Sequence, residues 1–324
     1  EVSYNTINMG VFMLKLVILI IYFAVLIGIG LYCRKHATDV NGFVLGGRSV
    51  GPWLTAFAYG TSYFSAVVFV GYAGQFGWKY GIAATWAGIG NAIIGSLLAW
   101  VVLGRRTRIM SQHLDSATMP QFFGKRFGSN PLKIGASVII FIFLIPYTAS
   151  LYNGLSRLFG MAFNIDYSVC IIIMATLTAI YVIAGGYMAT AINDFIQGII
   201  MLFGIIAIIA AVIHSKGGFM SALQGLANVS DPAVSDTPGI FASFFGPDPF
   251  NLLCVVILTS LGTWGLPQMV QKFYAIDNEA SIQKGTVIST IFALIVSGGC
   301  YFLGGFGRLF SDQIDVKANG FDSI

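Results

Sequence analysis

The chain has 324 residues, of which 56% are hydrophobic and only 9% are charged. Roughly a quarter of the residues of soluble domains are charged, so this composition excludes an ordinary soluble fold and predicts a protein embedded in the lipid bilayer. The formal net charge of +4 would indicate an anionic partner for a soluble protein. In a membrane protein the distribution of charge matters more than its sum, and no nucleic-acid partner is predicted.

Eight apolar runs follow one another along the chain, and each is long enough for a membrane helix, which needs roughly 20 residues. The first run is too long for the core of a signal peptide, and basic residues follow it instead of preceding it. It is therefore predicted to be a retained helix. The runs cover about residues 11–32, 51–76, 81–103, 135–160, 167–184, 194–213, 249–266 and 286–306.

Basic residues predict how these runs are oriented. Assigning alternate loops to one side of the membrane places 11 of the 17 Lys and Arg residues there, and cytoplasmic loops carry such an excess. The long loop 214–248 and both ends of the chain are then predicted to be external. The predicted cytoplasmic residues are Arg34, Lys35, Arg48, Arg105, Arg106, Arg108, Lys125, Arg126, Lys133, Lys272 and Lys284.

Enzyme chemistry has little support in the sequence. His36, His113 and His214 lie in predicted loops, without the partner spacing of a metal centre or a catalytic triad. The four cysteines are widely spaced and lie mostly in apolar runs, which is typical of buried free thiols. The protein is predicted not to be an enzyme.

Two of the runs are interrupted by small and polar residues. The second contains "AYGTSYFSAVVFVG", residues 58–71, and the seventh contains "LTSLGTWGLPQ", residues 258–268. Unwound backbone survives in hydrocarbon only where it lines a cavity or is buried in protein. Small-residue packing, with hydroxyls bonded to the preceding turn, explains either interruption alone. Two interruptions, five helices apart, favour the midplane substrate site of a secondary transporter.

Three motifs in order along the chain resemble the sodium/solute symporter family, whose members carry proline, pantothenate, sugars, sialic acid and iodide. They are "GFVLGGRSVGPWLTAFAYGTSYFSAVVFVGYAG" at the second run, "IAGGYMATAINDFIQG" before the sixth, and "GLPQMVQKFYAIDNEASIQKG" after the seventh. The second motif matches the family's Gly-Gly…Asp-x-x-Gln signature. The resemblance extends from about Asn41 to Phe310.

The resemblance implies a fold and a division of the chain. The fold is an all-α polytopic membrane protein of the LeuT type, with ten core helices in two inverted five-helix repeats. Residues 1–324 would form a single transmembrane domain, with 11–32 as an extra helix, 51–213 as the first repeat and 249–306 as the start of the second. The other core helices would be missing, which implies a member truncated at its C-terminus.

The function implied by the resemblance is sodium-coupled secondary active symport. The protein would import a small organic solute across the plasma membrane by alternating access, with Na⁺ as the coupling ion. One alternative is a transporter-like sensory domain of a signalling kinase. A channel is a further alternative, although hinge-like breaks favour alternating access.

Sodium-binding residues are also implied by the resemblance. The backbone carbonyls of Thr61 and Phe64 match the family's main sodium site, and carbonyl oxygens suit a small hard cation. Asp194 has two interpretations that stay open. It is a helix cap, with Gln197 three residues on closing a capping box, or part of a second sodium site or sodium exit path. The two roles are compatible, because a carboxylate that caps with one oxygen still offers the other to an ion.

Candidate substrate contacts fall on the two interruptions. Proline carriers place Trp and Tyr where this chain has Thr259 and Thr263. The acidic residue with which sugar carriers bind the sugar corresponds to a position near Gly88 in this chain. Neither proline nor a hexose is therefore indicated, and Trp264 has packing in the core as its alternative role. The predicted contacts of a small organic solute are Tyr63, Ser65, Thr263 and Trp264.

Overall fold

The computed structural model describes residues 2–64, 67–163 and 165–313, and helices form most of this described chain. The all-α fold implied by the family resemblance is confirmed. The α-helices are α1 (Val2–Cys33), α2 (Val40–Leu45), α3 (Pro52–Tyr63), α4 (Ala73–Tyr80), α5 (Thr85–Gly90), α6 (Arg105–His113), α7 (Met119–Phe127), α8 (Asn130–Phe163), α9 (Tyr167–Ser215), α10 (Phe219–Ala227), α11 (Pro249–Leu261), α12 (Pro267–Ala275) and α13 (Glu279–Gly305).

Membrane-length helices account for much of the described chain. By length and composition, five described helices could cross a bilayer. One of them, Tyr167–Ser215, contains two of the predicted runs, and the shorter α11 is also apolar. The five are Phe12–Cys33, Ala73–His113, Asn130–Gly160, Tyr167–Ser215 and Glu279–Gly305.

Both predicted interruptions are breaks in the structure. After α3, Phe64 leaves the helical region with φ −97° and ψ 54°, and the chain resumes as π-helical turns over Val67–Tyr72 that continue into α4. After α11, the chain turns and becomes extended at Leu266, with φ −69° and ψ 127°. Pro267 then begins α12, at the helical position where a missing N–H costs nothing.

The two broken helices run in opposite directions. Val50, just before α3, forms a β-bridge with Ile276, just after α12. At the other end, Tyr80 closes α4 and lies against Gly246, shortly before α11. The start of each broken helix therefore lies beside the end of the other, and the two breaks meet between them.

The prediction that the sixth helix begins near residue 194 is wrong. The break in α9 lies at Gly186, where φ is 58° and ψ is −152°, and the second half of α9 begins at Tyr187. Glycine is the residue that adopts this backbone conformation without strain, and a Cβ there would lie 2.8 Å from the carbonyl oxygen of Phe43. Asp194 consequently lies two turns inside the helix.

Other predicted boundaries also shift. The run predicted at 286–306 begins seven residues earlier, at Glu279, because Asn278 caps α13 by accepting a hydrogen bond from the Ser281 N–H at 2.9 Å. His113 and His214, predicted in loops, lie in the last turns of α6 and α9.

The predicted cytoplasmic end of the molecule is fastened by two arginines that bind backbone carbonyls. Arg48 donates to the carbonyl oxygens of Ser116 at 2.8 Å and Tyr274 at 3.3 Å. Arg108 donates to those of Ile276 at 2.6 Å and Asp277 at 2.9 Å. The bonds of Arg48 join the segment before α3 to the end of α12, and those of Arg108 join α6 to the connection between α12 and α13.

Arg308 fastens the opposite end. Its guanidinium lies 3.0 Å from Oδ2 of Asp231 and between the rings of Trp78 and Phe241. Burial lowers the pKa of the Arg308 guanidinium, and the Asp231 carboxylate acts in the opposite direction. The loop between α9 and α11, which includes α10, is thereby attached to the ends of α4 and α13.

Glycines bring α4 and α13 into backbone contact. A Cβ on Gly77 would lie 2.0 Å from the carbonyl of Gly304, and a Cβ on Gly304 would lie 2.0 Å from that of Ala73. Small residues allow this approach between membrane helices. The contact holds the second part of the first broken helix against α13.

Candidate functional site

A polar cavity lies where the two breaks meet. Its volume is about 360 Å³, within the usual range for small-ligand pockets, roughly 300–1,000 Å³. Aromatic rings, hydroxyls and an amide form its wall, and none of its described lining side chains is charged. The polar lining residues include Ser62, Tyr63, Asn91, Thr259, Thr263 and Tyr301.

Asn91 connects the helices around this cavity. Its side chain is buried, and its Nδ2 donates to Ser297 Oγ at 3.2 Å on α13. Its Oδ1 accepts a hydrogen bond from Ser260 Oγ at 3.2 Å on α11 and lies 3.2 Å from the Tyr63 hydroxyl on α3. One amide thus contacts both broken helices and α13.

Tyr63 and Thr263, predicted substrate contacts, both line the cavity. The Tyr63 hydroxyl donates to the Thr259 carbonyl oxygen at 2.8 Å, which joins the end of α3 to α11. The Thr263 hydroxyl donates to the Ser260 carbonyl oxygen at 3.1 Å. Both oxygens keep lone pairs with which to accept a hydrogen bond from a solute.

Trp264 and Ser65 were the other predicted contacts. Trp264 is not among the described residues that line the cavity. Its indole N–H donates to the Ile94 carbonyl oxygen at 3.0 Å, and its ring packs against the main hydrophobic cluster. This placement favours the packing role over substrate contact. Ser65 lies outside the described residues.

Asp194 lies in a second polar cluster. Its Oδ2 is 3.5 Å from Nζ of Lys272, on α12. The Thr61 hydroxyl, near the end of α3, donates to the Phe57 carbonyl oxygen at 2.9 Å and lies near the Asp194 carboxylate. Two of the predicted sodium residues therefore come together, between α9 and the two broken helices.

The capping interpretation of Asp194 is wrong. The backbone N–H groups that follow Asp194 belong to the interior of α9, where they bond to carbonyls of the preceding turn. The carboxylate that caps α9 is Asp166, which accepts hydrogen bonds from the N–H groups of Ser168 at 2.9 Å and Val169 at 3.4 Å. Asp194 is thus free of a capping role.

The other predicted sodium residue, Phe64, follows the last turn of α3. Its ring is buried and stacks on Tyr63 at a centroid distance of 4.4 Å. Carbonyls of the last turn of a helix have no acceptor role within that helix, and Thr61 belongs to this turn. The end of α3 therefore offers carbonyl oxygens that the helix itself does not use.

Sequence reasoning missed Asn91 and Lys272. Asn91 carried a signal, because it is a lone amide in the apolar run "AGIGNAIIG", and a buried amide needs partners. Lys272 was assigned only to a cytoplasmic loop. Its position in an amphipathic helix beside Asp194 follows from the second break, which turns α12 back into the protein.

Antiparallel broken helices around a cavity without charged side chains, in a helical protein rich in apolar spans, are typical of the discontinuous-helix folds of secondary transporters. Comparison with known proteins agrees with this class. The model of the sodium:solute symporter family matches residues 43–314. The chain belongs to the sodium:solute symporter family, as its motifs predicted.

Two curated relatives illustrate the similarity. The osmoregulated proline transporter OpuE of Bacillus subtilis is 29% identical over 299 residues, which cover 91% of this chain and 59% of the relative. A sodium/proline symporter of Staphylococcus aureus is 30% identical over 315 residues, which cover 93% and 57%. The chain thus spans less than two thirds of the length of either relative.

A solved structure shares the fold. It is the substrate-bound outward-open state of a Na⁺-coupled sialic acid symporter, with a TM-score of 0.73 and 16% sequence identity. The alignment covers 94% of this chain and 63% of the solved one. The predicted LeuT-type architecture is confirmed over this shared part.

Proposed function

We propose that this chain forms the solute and sodium sites of a plasma-membrane symporter. The symporter imports a small organic solute by alternating access, with sodium as the coupling ion. The observation that carries the proposal is the meeting of two antiparallel helix breaks at a polar cavity, with the Asp194 cluster beside it. Membership of the sodium:solute symporter family supports the same function.

The cavity favours a solute without net charge. Its polar groups are hydroxyls, such as those of Tyr63 and Thr263, and the amide of Asn91, and its described wall offers no charged side chain to pair with an ion. A neutral or zwitterionic molecule fits these groups. Proline is one such molecule and is named for two relatives, although Thr259 and Thr263 differ from the residues of proline carriers.

The sodium residues fit a hard monovalent cation. The Thr61 hydroxyl lies near the Asp194 carboxylate and keeps a lone pair beside its bond to Phe57, and the carbonyls of Thr61 and Phe64 lie at the break. Oxygen atoms of these kinds replace the water of a small cation. Bound sodium supplies positive charge and, moving down its gradient, the free energy that drives solute entry.

The domain arrangement in this proposal follows the two breaks. Residues 51–213 form one repeat and residues 249–306 begin a second, inverted one, while residues 11–32 stand in front. The antiparallel course of α3–α4 and α11–α12 supports this arrangement, since an inverted repeat reverses the direction of equivalent helices.

Transport by the full-length product of the gene tests the proposal. The purified protein is reconstituted into proteoliposomes, and uptake of labelled proline and other neutral or zwitterionic solutes is measured under an inward sodium gradient. We expect accumulation of at least one solute, which an equal potassium gradient does not support. Equal accumulation under both gradients contradicts sodium coupling. Solute binding without any uptake favours the sensory alternative.

A further inference from the structure

Lys272 lies beside the proposed sodium residues, and the proposed function gives it no role. Its side chain is only 8% exposed, and its Nζ is 3.5 Å from Oδ2 of Asp194, whose side chain is 21% exposed. Lys272 lies in the last turn of α12, the helix that follows the second break. A buried ammonium group therefore links the second broken helix to the carboxylate.

The surroundings hold this ammonium at the carboxylate. Its Nζ also lies 5.0 Å from the centroid of the Tyr187 ring, a favourable position for a cation. Tyr22, Tyr181 and Tyr187 lie close enough to Asp194 to be affected by its charge. Of the ion pairs formed by residues 2–64, 67–163 and 165–313, only the one with Lys272 involves Asp194.

One partly buried carboxylate with an ammonium group in contact with it is an unfavourable place for a second cation. Like charges a few ångströms apart repel strongly where water is scarce. A sodium ion bound to Asp194 would therefore push the Lys272 ammonium away. Conversely, a carboxylate left without any cation in this place is costly to bury, so Lys272 must return when sodium leaves.

We propose that Lys272 determines the sodium affinity of the Asp194 site by acting as a tethered competitor. Its ammonium neutralises Asp194 when no sodium ion is bound there, and an arriving sodium ion displaces it. Displacement releases α12 from α9, so sodium binding changes how firmly the second broken helix is held. The inference rests on the proposed function, because it concerns sodium at the proposed site.

Sodium-dependent stability tests this inference with a measurement separate from transport. The melting temperature of the purified full-length protein in detergent is followed against NaCl, with KCl keeping the total salt constant. We expect Lys272→Gln to lower the half-saturating sodium concentration by about tenfold, the order of a typical coupling between two ligands. Lys284→Gln removes the same charge from an exposed position on α13 and should match the wild type.

Lys272→Arg gives a result in the opposite direction. A guanidinium keeps its charge and holds a carboxylate through two hydrogen bonds. We therefore expect a higher half-saturating sodium concentration than in the wild type. If Lys272 only balanced the charge of Asp194, the two substitutions would change the melting temperature without moving the sodium concentration at half-saturation.

Each outcome has a separate meaning. If sodium stabilises the wild type and the half-saturating sodium concentration is equal in Lys272→Gln and Lys284→Gln, the tethered competitor is contradicted. The proposed function is unaffected by that result. If sodium stabilises neither the wild type nor Lys284→Gln, both the tethered competitor and the proposed sodium site are contradicted. If Lys272→Gln does not fold, Lys272→Arg tests the inference alone. A half-saturating sodium concentration in Lys272→Arg that equals the wild-type value or lies below it overturns the inference.

Discussion

Asn91 connects three helices around the cavity, and replacing it tests that role. Asn91→Leu keeps a similar volume but leaves Ser260 and Ser297 without their amide partner. Loss of a buried hydrogen-bond partner costs about 1–3 kcal/mol. We expect a lower melting temperature of the purified full-length protein and weaker solute binding, both measurable in detergent.

The matched control for Asn91 is Asn228→Leu, which lies exposed after α10. This substitution introduces the same side chain outside the cavity and should leave solute affinity unchanged. Equal solute affinity and equal melting temperature in the two variants would show that Asn91 does not organise the cavity.

Asp194→Asn separates the charge of this residue from its shape. Since Asp194 does not cap a helix, its carboxylate remains available to sodium. A charge-assisted contact contributes about 1.5–3 kcal/mol, so its loss should raise the sodium concentration for half-maximal uptake by about tenfold or more. Asp194→Glu keeps the charge but displaces it, so we expect its sodium concentration for half-maximal uptake to lie between those of the wild type and Asp194→Asn.

Asp166→Asn is the matched control for Asp194, because Asp166 caps α9 and Asn caps a helix about as well as Asp does. Solute uptake measured against sodium concentration compares the four proteins. A wild-type sodium dependence in Asp194→Asn would remove Asp194 from the sodium site.

Single residues differ in how far the sequence predicts them. Thr61 and Asp194 were predicted from family motifs, and the structure brings them together. Asn91 was within reach, since an amide inside an apolar run needs a partner. Lys272 was not, because its neighbour Asp194 lies 78 positions earlier in the chain, and only the fold brings the ammonium and the carboxylate together.

The contact between α4 and α13 depends on glycine. Gly304→Ala would place a Cβ 2.0 Å from the carbonyl of Ala73, so the two helices must separate. Overpacking of this kind costs about 1–3 kcal/mol, occasionally more. We expect a lower melting temperature and a lower yield of monodisperse protein in size-exclusion chromatography.

Gly298→Ala provides a control on the same helix. A Cβ on Gly298 has no neighbour within 4 Å among the described residues, and Ala favours a helix over Gly by about 1 kcal/mol. This variant should be as stable as the wild type or more so. A Gly304→Ala protein that matches Gly298→Ala would contradict the close contact of α4 with α13.

Helix breaks were predicted better than helix boundaries. Small residues and Pro267 revealed the breaks after α3 and α11. The gap predicted between residues 184 and 194 contains the break at Gly186, but the second half of α9 begins directly after it, at Tyr187. The predicted start positions near 194 and 286 were too late, since residues of the first turns were assigned to loops.

Orientation in the membrane is a separate prediction about the full chain. Basic residues place Gln112 in the cytoplasm and Ala233 outside, and both residues are exposed. Single cysteines at the two positions, in a background without the four native cysteines, should react differently with an impermeant thiol reagent added to intact cells. Labelling of position 112 but not of position 233 would reverse the orientation.

The overall architecture followed from the sequence because it depends on composition and on ordered motifs. Low charge predicted the bilayer, and three motifs predicted the family and fold. The sequence could not predict how closely the cavity and the Asp194 cluster lie together, since that depends on the antiparallel docking of α3–α4 against α11–α12. This docking brings Tyr63 to Thr259, and the position of α12 beside α9 brings Lys272 to Asp194.

Sodium entry that depends on the solute is the most direct test of coupled symport. Uptake of ²²Na⁺ into proteoliposomes containing the full-length protein is measured with and without a transported solute. Strict coupling of the two fluxes predicts that the solute stimulates sodium entry and that sodium stimulates solute entry. The ratio between the two fluxes should be fixed. Sodium entry that is equal with and without solute, or solute entry without sodium entry, would contradict coupled symport.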